Sequence, residues 1–227
     1  MRCLSVFSAA ALCLSIAPAQ GTTILDNVSG SASSGGSNSL GVSSGNQFRQ
    51  SISFESPSGQ AWTLNSAELF VSPLGNSTPV QMKASLFLAN DSTNYPDETG
   101  GALATTTTTW SFSSLSWQSI TFSGAGWTLL PDEKYALVFE VTTPSRNVTW
   151  NSQSPAVSYA GHEGFDFLIR GRSSNGGTWT SPGSRDGFKL EATAVPEPTE
   201  YAAAAGLGLL AFAGWRRYRK ASPAAAV

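Results

Sequence analysis

The sequence predicts an all-β fold, a jelly-roll-like β-sandwich followed by a single short C-terminal transmembrane helix. Hydrophobic and polar residues alternate along many short segments, and no sustained helical period interrupts them. Charged residues make up only 12% of the chain, against roughly 25% in typical globular proteins, and Lys and Glu are scarce. Turn sequences separate the alternating segments, which together give about eight strands.

Length and net charge narrow the possible classes of protein. The chain has 227 residues and a formal net charge of −2. Once the two ends are set aside, roughly 175 residues remain, which is enough for one domain with a hydrophobic core. Because no basic surface is available to meet phosphates, nucleic acid is excluded as a partner.

Residues 1–19 have the three parts of an export signal. Arg2 supplies the positive charge, an apolar stretch follows, and Ala17-Pro18-Ala19 has the small-x-small pattern of a signal peptidase site. A lipoprotein signal is disfavoured because Leu12 precedes Cys13. We therefore expect export through the Sec translocon and cleavage by signal peptidase, which removes both cysteines of the chain.

The segment after the signal, residues 20–45, is dominated by Ser and Gly from residue 30 onward. Such a composition buries too little apolar surface to fix itself. Two interpretations stay open, a flexible arm and a long polar loop. The predicted β-sandwich ectodomain follows at residues 46–194.

The ectodomain strands are predicted from alternation. The clearest case places Val80, Met82, Ala84, Leu86 and Leu88 on one face of a strand. The same pattern recurs in QFRQSISF, WTLNSAELFV, WQSITFS, KYALVFEV, NVTW, FDFLIRG and GFKLEATA. Asn175-Gly176, Asp186-Gly187 and Ser181-Pro182-Gly183 are typical of the tight turns between strands.

The last predicted element occupies residues 195–220, with a short tail at 221–227. Val195-Pro196-Glu197-Pro198 predicts an extended linker, because two prolines one residue apart cannot continue a strand. The uncharged run that follows would span roughly 22 Å as a helix, short of the hydrocarbon thickness of about 30 Å. Its predicted membrane-anchor residues are Tyr201, Leu207, Leu209, Leu210, Phe212 and Trp215. Its predicted stop-transfer residues are Arg216, Arg217, Arg219 and Lys220. The alternative is a terminal helix buried in the core, which should have a polar face that this run lacks.

This order of a Val-Pro-Glu-Pro motif, a short apolar helix and an Arg-rich end resembles the PEP-CTERM sorting signal. The resemblance covers roughly the last 30 residues and includes all three parts in order. It implies that exosortase, a membrane enzyme of Gram-negative bacteria, recognises Val195, Pro196, Glu197 and Pro198. It further implies an inner-membrane intermediate and a final place at the cell surface or in the extracellular matrix.

The order of landmarks in the ectodomain resembles the choice-of-anchor extracellular β-domains, especially the R type. A Leu-x-Pro-x-x-x-Tyr phrase between two apolar strands carries this resemblance, and here it runs from Leu129 to Tyr135. The family has no established activity, so the resemblance implies location rather than chemistry.

A catalytic role has little support in the sequence. A Ser/His/acid triad needs a histidine, and the chain contains only His162, in a loop with Glu163 and Asp166 nearby. Neither a G-x-S-x-G nor an H-E-x-x-H motif accompanies it. We therefore assign no catalytic residue and no resident cofactor. The alternative is a hydrolase acting on extracellular polysaccharide, which a cleft that gathers two carboxylates would favour.

Two binding hypotheses remain. The loop that contains Asp91, Asp97 and Glu98 concentrates the oxygen donors that Ca²⁺ prefers, and the alternative is an Asx-rich turn. The second ligand is carbohydrate, because six tryptophans lie in the ectodomain and sugar sites present aromatic faces beside polar side chains. Most of the six should fill the core, whereas Trp150 and Trp179 are predicted to be exposed. The hypothesis is a structural or adhesive role on exopolysaccharide.

Overall fold

A computed structural model of the protein describes residues 21–27, 37–43, 46–74, 79–152, 159–182 and 186–221. The predicted signal peptide at residues 1–19 lies outside these ranges, as does nearly all of the tail after residue 220.

Within these ranges the chain forms thirteen β-strands and one α-helix. The strands are β1 (Thr22–Asp26), β2 (Ser37–Ser43), β3 (Asn46–Glu55), β4 (Trp62–Pro73), β5 (Val80–Leu88), β6 (Ala104–Trp110), β7 (Ser116–Thr121), β8 (Thr128–Leu129), β9 (Lys134–Val141), β10 (Asn147–Asn151), β11 (Ala160–Gly161), β12 (Asp166–Ser174) and β13 (Phe188–Ala194). The helix is α1 (Pro198–Ala221), and a single 3-10 turn covers Ala125–Trp127. The prediction of an all-β domain with one C-terminal helix is confirmed at this level.

All strand pairs among the described residues are antiparallel, and they join into one sheet with the order β11-β1-β13-β4-β10-β2-β3-β9-β5-β6. Strand β12 pairs with β3, while β7 and β8 pair with β4. We call β12, β3, β9, β5 and β6 the β3 half of the sheet, and β11, β1, β13, β4, β7 and β8 the β4 half. Strands β10 and β2 connect the two halves.

Both halves contribute to one hydrophobic core. Ile52 and Phe139 of the β3 half belong to the same buried cluster as Leu69 and Leu190 of the β4 half. On β10, Trp150 packs edge-on against Phe139 of the β3 half, with ring centroids 5.5 Å apart. Because strands such as β5, β9 and β13 turn alternate side chains to this cluster, the alternation in their sequence corresponds to the core-facing residues of the structure.

Strand β5 shows how closely burial follows the pattern. Val80, Met82, Ala84 and Leu86 are fully buried, as the alternation predicts. Leu88, predicted to share their face, is instead 44% exposed. It is the last residue of the strand, where the chain turns into the next loop, so no further core residue covers it.

Two segments that the sequence analysis placed before the ectodomain belong to the sheet. Strand β1 pairs with β13 and β11, and β2 pairs with β10 and β3. The predicted arm at residues 20–45 is thus partly strand, and residues 28–36 lie outside the described ranges. Gly41 allows the close approach of β2 to its neighbour, because a Cβ there would lie 2.4 Å from the carbonyl oxygen of Arg146.

Strand β6 was not predicted because it lacks a hydrophobic pattern. Its sequence ATTTTTW contains five consecutive threonines. Threonine has a high strand propensity through its branched Cβ, and the ladder with β5 pairs the strand along its whole length. Position at the edge of the sheet explains why a run of polar side chains is tolerated there.

The Leu-x-Pro-x-x-x-Tyr phrase forms a compact corner between β8 and β9. The Tyr135 hydroxyl accepts a hydrogen bond from Leu130 N at 2.7 Å, and Asp132 adopts a positive φ of 56° at the turn. The Ser56 hydroxyl donates to the carbonyl oxygen of Leu130 at 2.5 Å and accepts from Glu133 N at 3.1 Å. Burial raises the pKa of the Tyr135 phenol above its ordinary value, and the bond from Leu130 offsets part of this rise.

The C-terminal helix α1 presents large apolar side chains to solvent. Leu209 and Leu210 are 70% and 71% exposed, so the alternative of a terminal helix buried in the core is wrong. Within the described ranges no helix is both long enough and apolar enough to cross a membrane. The predicted transmembrane helix is therefore not supported. The apolar part of α1 consists mainly of Ala and Gly, and basic residues follow it directly.

Candidate functional site

The candidate site lies on the outer face of the β3 half, the face turned away from the core. Ser51 of β3 is in register with Val138 of β9 on one side and Gly171 of β12 on the other. Ser51, Ser53 and Ala136 are all fully buried. Small residues buried on an outer face indicate that another part of the chain covers them.

The covering segment is the loop between β5 and β6. It first turns back along the end of β5, where Asp97 N donates to Leu88 O at 2.9 Å and Ala89 bridges to Pro96. Leu103 N then donates to Leu86 O at 2.8 Å, which returns the chain to the sheet. The loop is therefore anchored to the same strand on its way out and on its way back.

An Asx turn stiffens the tip of this loop. The Asn90 side-chain oxygen accepts hydrogen bonds from Ser92 N at 3.0 Å and Thr93 N at 3.1 Å. The backbone closes around it, because Asn94 N donates to Asn90 O at 2.7 Å and Asn90 N donates to Tyr95 O at 2.8 Å. Asn94 has a positive φ of 58°, a conformation that asparagine tolerates well. Tyr95 is thus presented by a loop with a fixed backbone.

Trp179 faces Tyr95 from the opposite side. Residues 178–180 extend the edge of β12, because Arg172 and Thr180 exchange two backbone hydrogen bonds of 2.7 and 2.9 Å. Alternation along this edge places Trp179 on the outer face, the face of Gly171. A Cβ at Gly171 would lie 2.9 Å from Trp179, 3.1 Å from Tyr95 and 2.4 Å from the Ser51 hydroxyl. Glycine is therefore required here for the two rings to meet over the sheet.

Arg49 connects the two walls. Its guanidinium lies over the Trp179 ring, 5.2 Å from the centroid. The same guanidinium donates to both carboxylate oxygens of Glu98, at 2.7 and 3.3 Å. Bidentate pairing of this kind restricts both side chains, so the loop and the tryptophan are held at a defined separation.

Between these walls lies an open cleft of about 570 Å³, within the size range of small-molecule sites. It combines two half-buried aromatic rings with hydroxyl, amide and carboxylate groups. Its lining residues are Asn90, Thr93, Tyr95, Pro96, Asp97, Glu98, Thr99, Thr178 and Trp179. Trp179 and the acidic loop are separate candidates in the sequence, and the fold brings them together.

The three carboxylates proposed for Ca²⁺ have separate partners. Glu98 is bound by Arg49, Asp97 by Thr99, and Asp91 is 97% exposed with its oxygen 4.0 Å from the Lys134 ammonium. Among the residues that the structure describes, no three acidic, His or Cys side chains are placed to share a metal ion. The Asx turn, the alternative interpretation of this loop, is the arrangement found.

Asp97 and Glu98 both line the cleft, which raises the question of a glycosidase pair. Hydrogen bonds from the Thr99 hydroxyl and, to a smaller extent, from Thr99 N hold the pKa of the Asp97 carboxyl below its ordinary value. A general acid needs the opposite shift, and both oxygens of Glu98 already accept hydrogen bonds from Arg49. The arrangement suits hydrogen-bond acceptance rather than proton transfer.

His162 lies away from this cleft. Its Nε2 is 3.4 Å from the Asp26 carboxylate of β1, and its backbone N–H donates to Ile24 O at 2.9 Å. His162 thus belongs to the β4 half of the sheet, whereas the cleft belongs to the β3 half.

The prediction that Trp150 is exposed is wrong. Its side chain is fully buried, and its indole N–H donates to Gly187 O at 2.7 Å. The reason is topological, because β10 lies inside the sheet between β4 and β2 and turns alternate residues toward the core. Trp179 is half-buried, at the rim of the cleft.

A buried ionic cluster behind β12 was not anticipated from the sequence. Arg170 and Asp186 are 3% and 0% exposed and form an ion pair at 2.6 Å. Arg170 also donates to Gln50, and its guanidinium lies 4.7 Å from the centre of the Trp150 ring. Asn38 donates to the same carboxylate oxygen at 2.9 Å. This cluster links β2, β3, β10 and β12, so it fixes the strand that carries Gly171.

The predicted sorting motif follows the last strand. Val195 is partly exposed and its N–H donates to Ala61 O at 2.9 Å, and α1 begins at Pro198. Arg216 and Arg217 are exposed on the helix. Tyr201, Arg219 and Lys220 lie within α1, and their side chains are outside the described part of the structure.

Comparison with known proteins adds no assignment. The chain matches no protein-family model and no curated protein.

Proposed function

We propose that this protein is an exported, non-catalytic surface or extracellular-matrix protein that binds carbohydrate in the cleft between Tyr95 and Trp179. The observation that carries the proposal is the meeting of these two rings over Gly171, beside a row of polar side chains. A jelly-roll-like β-sandwich is the scaffold that we propose for this cleft.

The chemistry of a sugar ring matches this combination of groups. One face of a pyranose carries C–H groups that pack on an aromatic ring, and its edge carries hydroxyls that need hydrogen-bond partners. Tyr95 and Trp179 offer the rings, while Asn90, Asp97 and Thr178 offer acceptors and donors along the edge. Since both rings are only half-buried, they retain surface for a ligand.

Preorganisation favours binding in the cleft. The Asn90 turn fixes the backbone before Tyr95, and the Arg49–Glu98 pair fixes the loop relative to Trp179. A ligand therefore orders few side chains on binding and loses less free energy to conformational entropy.

The route to the surface is proposed from the two ends of the chain. Residues 1–19 would direct export through the Sec translocon, and signal peptidase would remove them. Exosortase would then process the chain near Val195-Pro196-Glu197-Pro198 at the inner membrane. The short stretch between the last strand and α1 supports this proposal, because Val195 and Glu197 are exposed there. The host would be a Gram-negative bacterium, and exopolysaccharide would be the partner outside the cell.

The test of the cleft is binding of the full-length chain, in mild detergent, to a panel of bacterial exopolysaccharide oligosaccharides by affinity electrophoresis and calorimetry. The panel contains matched pairs, each a uronate-bearing oligosaccharide and its neutral methyl ester. We expect at least one member to bind, and Trp179→Ala and Tyr95→Ala each to weaken its binding by about tenfold or more.

Trp117→Ala is the matched control for these substitutions. Trp117 is also half-buried, but it lies on β7 in the β4 half, where it packs against Phe70 at 5.2 Å. The Trp117→Ala substitution should leave the affinity for the oligosaccharide unchanged. Absence of binding to every member of the panel, or equal losses from Trp117→Ala and Trp179→Ala, would count against a carbohydrate site in this cleft.

A further inference from the structure

A second, smaller pocket lies on the opposite face of the same sheet edge. It has a volume of about 250 Å³ and is lined by Phe48, Arg172, Ser174, Thr178 and Thr180. Alternation along the 178–180 edge explains its position, because Thr178 and Thr180 point away from the face that carries Trp179. Thr178 borders both this pocket and the cleft, so the two share one rim.

Arg172 gives this pocket its charge. Its guanidinium lies over the Phe48 ring, 4.2 Å from the centroid. None of the described lining residues is acidic, and Arg172 forms no ion pair within the described ranges. The chain's other arginines on β3 and β12 differ in this respect, since Arg49 is paired with Glu98 and Arg170 with Asp186.

The groups around Arg172 complement a carboxylate. A guanidinium binds a carboxylate through two parallel N–H bonds, and the hydroxyls of Ser174 and Thr178 are additional donors. Contact with the Phe48 ring restricts the guanidinium, and the pocket beside it has room for a ligand. A neutral sugar would leave this cation without a counter-charge.

We propose that the Arg172 pocket is a carboxylate subsite and that the glycan bound by this protein is acidic, with a uronic acid residue next to the sugar held at Trp179. This inference rests on the proposed carbohydrate-binding function and names the class of its ligand. The shared Thr178 rim lets one oligosaccharide pass the sheet edge, with a ring against Trp179 and a neighbouring carboxylate at Arg172.

The experiment compares the uronate oligosaccharides with their neutral methyl esters on the full-length chain. Each acidic member that binds should bind about tenfold more tightly than its ester. Arg172→Gln should lower the affinity for the acid to that for the ester and so abolish the difference. Arg172→Lys keeps the charge without the planar fork and should restore only part of the preference.

Lys189→Gln is the matched control, because it removes the same charge from β13 in the β4 half. The Lys189→Gln variant should keep the full preference for the acid, and thermal unfolding verifies that every variant is folded.

Equal binding of acid and ester would overturn the inference and leave the proposed function intact. A preference for the acid that survives Arg172→Gln would overturn the assignment of Arg172. Failure of all members to bind would reject the proposed function and the inference with it.

Discussion

At the scale of single residues, the buried pair of Arg170 and Asp186 is the most demanding feature of the domain. Both side chains are almost completely removed from water. Desolvating two charges costs several kcal/mol each, and here Gln50, Asn38 and the face of Trp150 supply additional contacts. Removal of one charge of such a pair strongly destabilises the fold, because the remaining charge stays buried and loses its partner.

We therefore expect Asp186→Asn to lower the free energy of unfolding by about 3–5 kcal/mol. The measurement is urea unfolding followed by tryptophan fluorescence. Asp166→Asn is the control, since Asp166 is an exposed carboxylate on β12, and its effect should stay within about 0.5 kcal/mol. An Asp186→Asn variant as stable as the parent would mean that the ion pair contributes nothing to stability.

At the scale of elements, strand β13 combines a buried face with a paired polar face. Phe188, Leu190 and Ala192 are fully buried. On the other face, Lys189 donates to Glu191, which also accepts from the Ser66 hydroxyl of β4 at 3.1 Å. The bond from Lys189 is the largest cause that lowers the pKa of Glu191, and the bond to Glu191 is the largest cause that raises the pKa of Lys189.

These shifts predict two limits of stability. Because the pKa of the Glu191 carboxyl is lower in the folded state, its ionised form stabilises the fold at pH values above the ordinary pKa of a glutamate. This contribution is lost as the pH falls below about 4. Because the pKa of the Lys189 ammonium is higher in the folded state, its charged form stabilises the fold at pH values below the ordinary pKa of a lysine. This contribution is lost as the pH rises above about 10.5. Because the pair is partly exposed, each loss should be less than about 1 kcal/mol.

The measurement is the pH dependence of the free energy of unfolding for the parent and Glu191→Gln. The difference between the two proteins should be largest near neutral pH and should shrink in both acid and alkali. Glu55→Gln, which removes a half-buried carboxylate on β3, provides the control. A Glu191→Gln difference that is constant with pH would contradict the assignment.

At the scale of the whole molecule, the domain and the C-terminal helix have different surfaces. Both halves of the sheet bury their apolar residues in one core, whereas α1 leaves Leu207, Phe212 and Trp215 largely exposed. A monomeric soluble domain rarely exposes several large apolar side chains together, and such exposure typically marks an interaction surface. The segment between the last strand and this helix contains the Pro-Glu-Pro motif.

We predict that the native host removes the helix from the domain. The measurement is the intact mass of the protein recovered from a Gram-negative host that has exosortase. A parallel strain carries Pro196, Glu197 and Pro198 replaced by alanine. Loss of the C-terminal segment near Val195 in the parent alone is the expected result. Recovery of the full-length chain from both strains would contradict sorting through this motif.

Replacement of Pro182 by alanine is the matched control for this experiment. Pro182 lies outside the strands of the domain and well before the motif in sequence, so its replacement should leave processing intact. An exosortase-deficient strain should retain the full-length chain, which separates this processing from cleavage by other proteases.

The sequence by itself determined the properties that depend on near neighbours in the chain. The alternation of β5, β9 and β13 predicted the core-facing side chains of these strands except Leu88, which is 44% exposed, because successive residues of a strand face opposite sides. The Asx turn was likewise one of the two interpretations of the loop that begins at Asn90. It could be predicted because that turn requires only residues 90–94.

Tertiary structure alone decided the features that depend on distant parts of the chain. Trp150 and Trp179 both lie beside small polar residues, yet the first is buried because its strand is internal and the second borders a cleft because it lies at the edge of the sheet. Strands β1 and β2 have little apolar pattern, and each pairs with a strand more than 100 residues away. The cleft unites Arg49, Tyr95 and Trp179, and such a meeting is set by strand order and register, which no local pattern encodes.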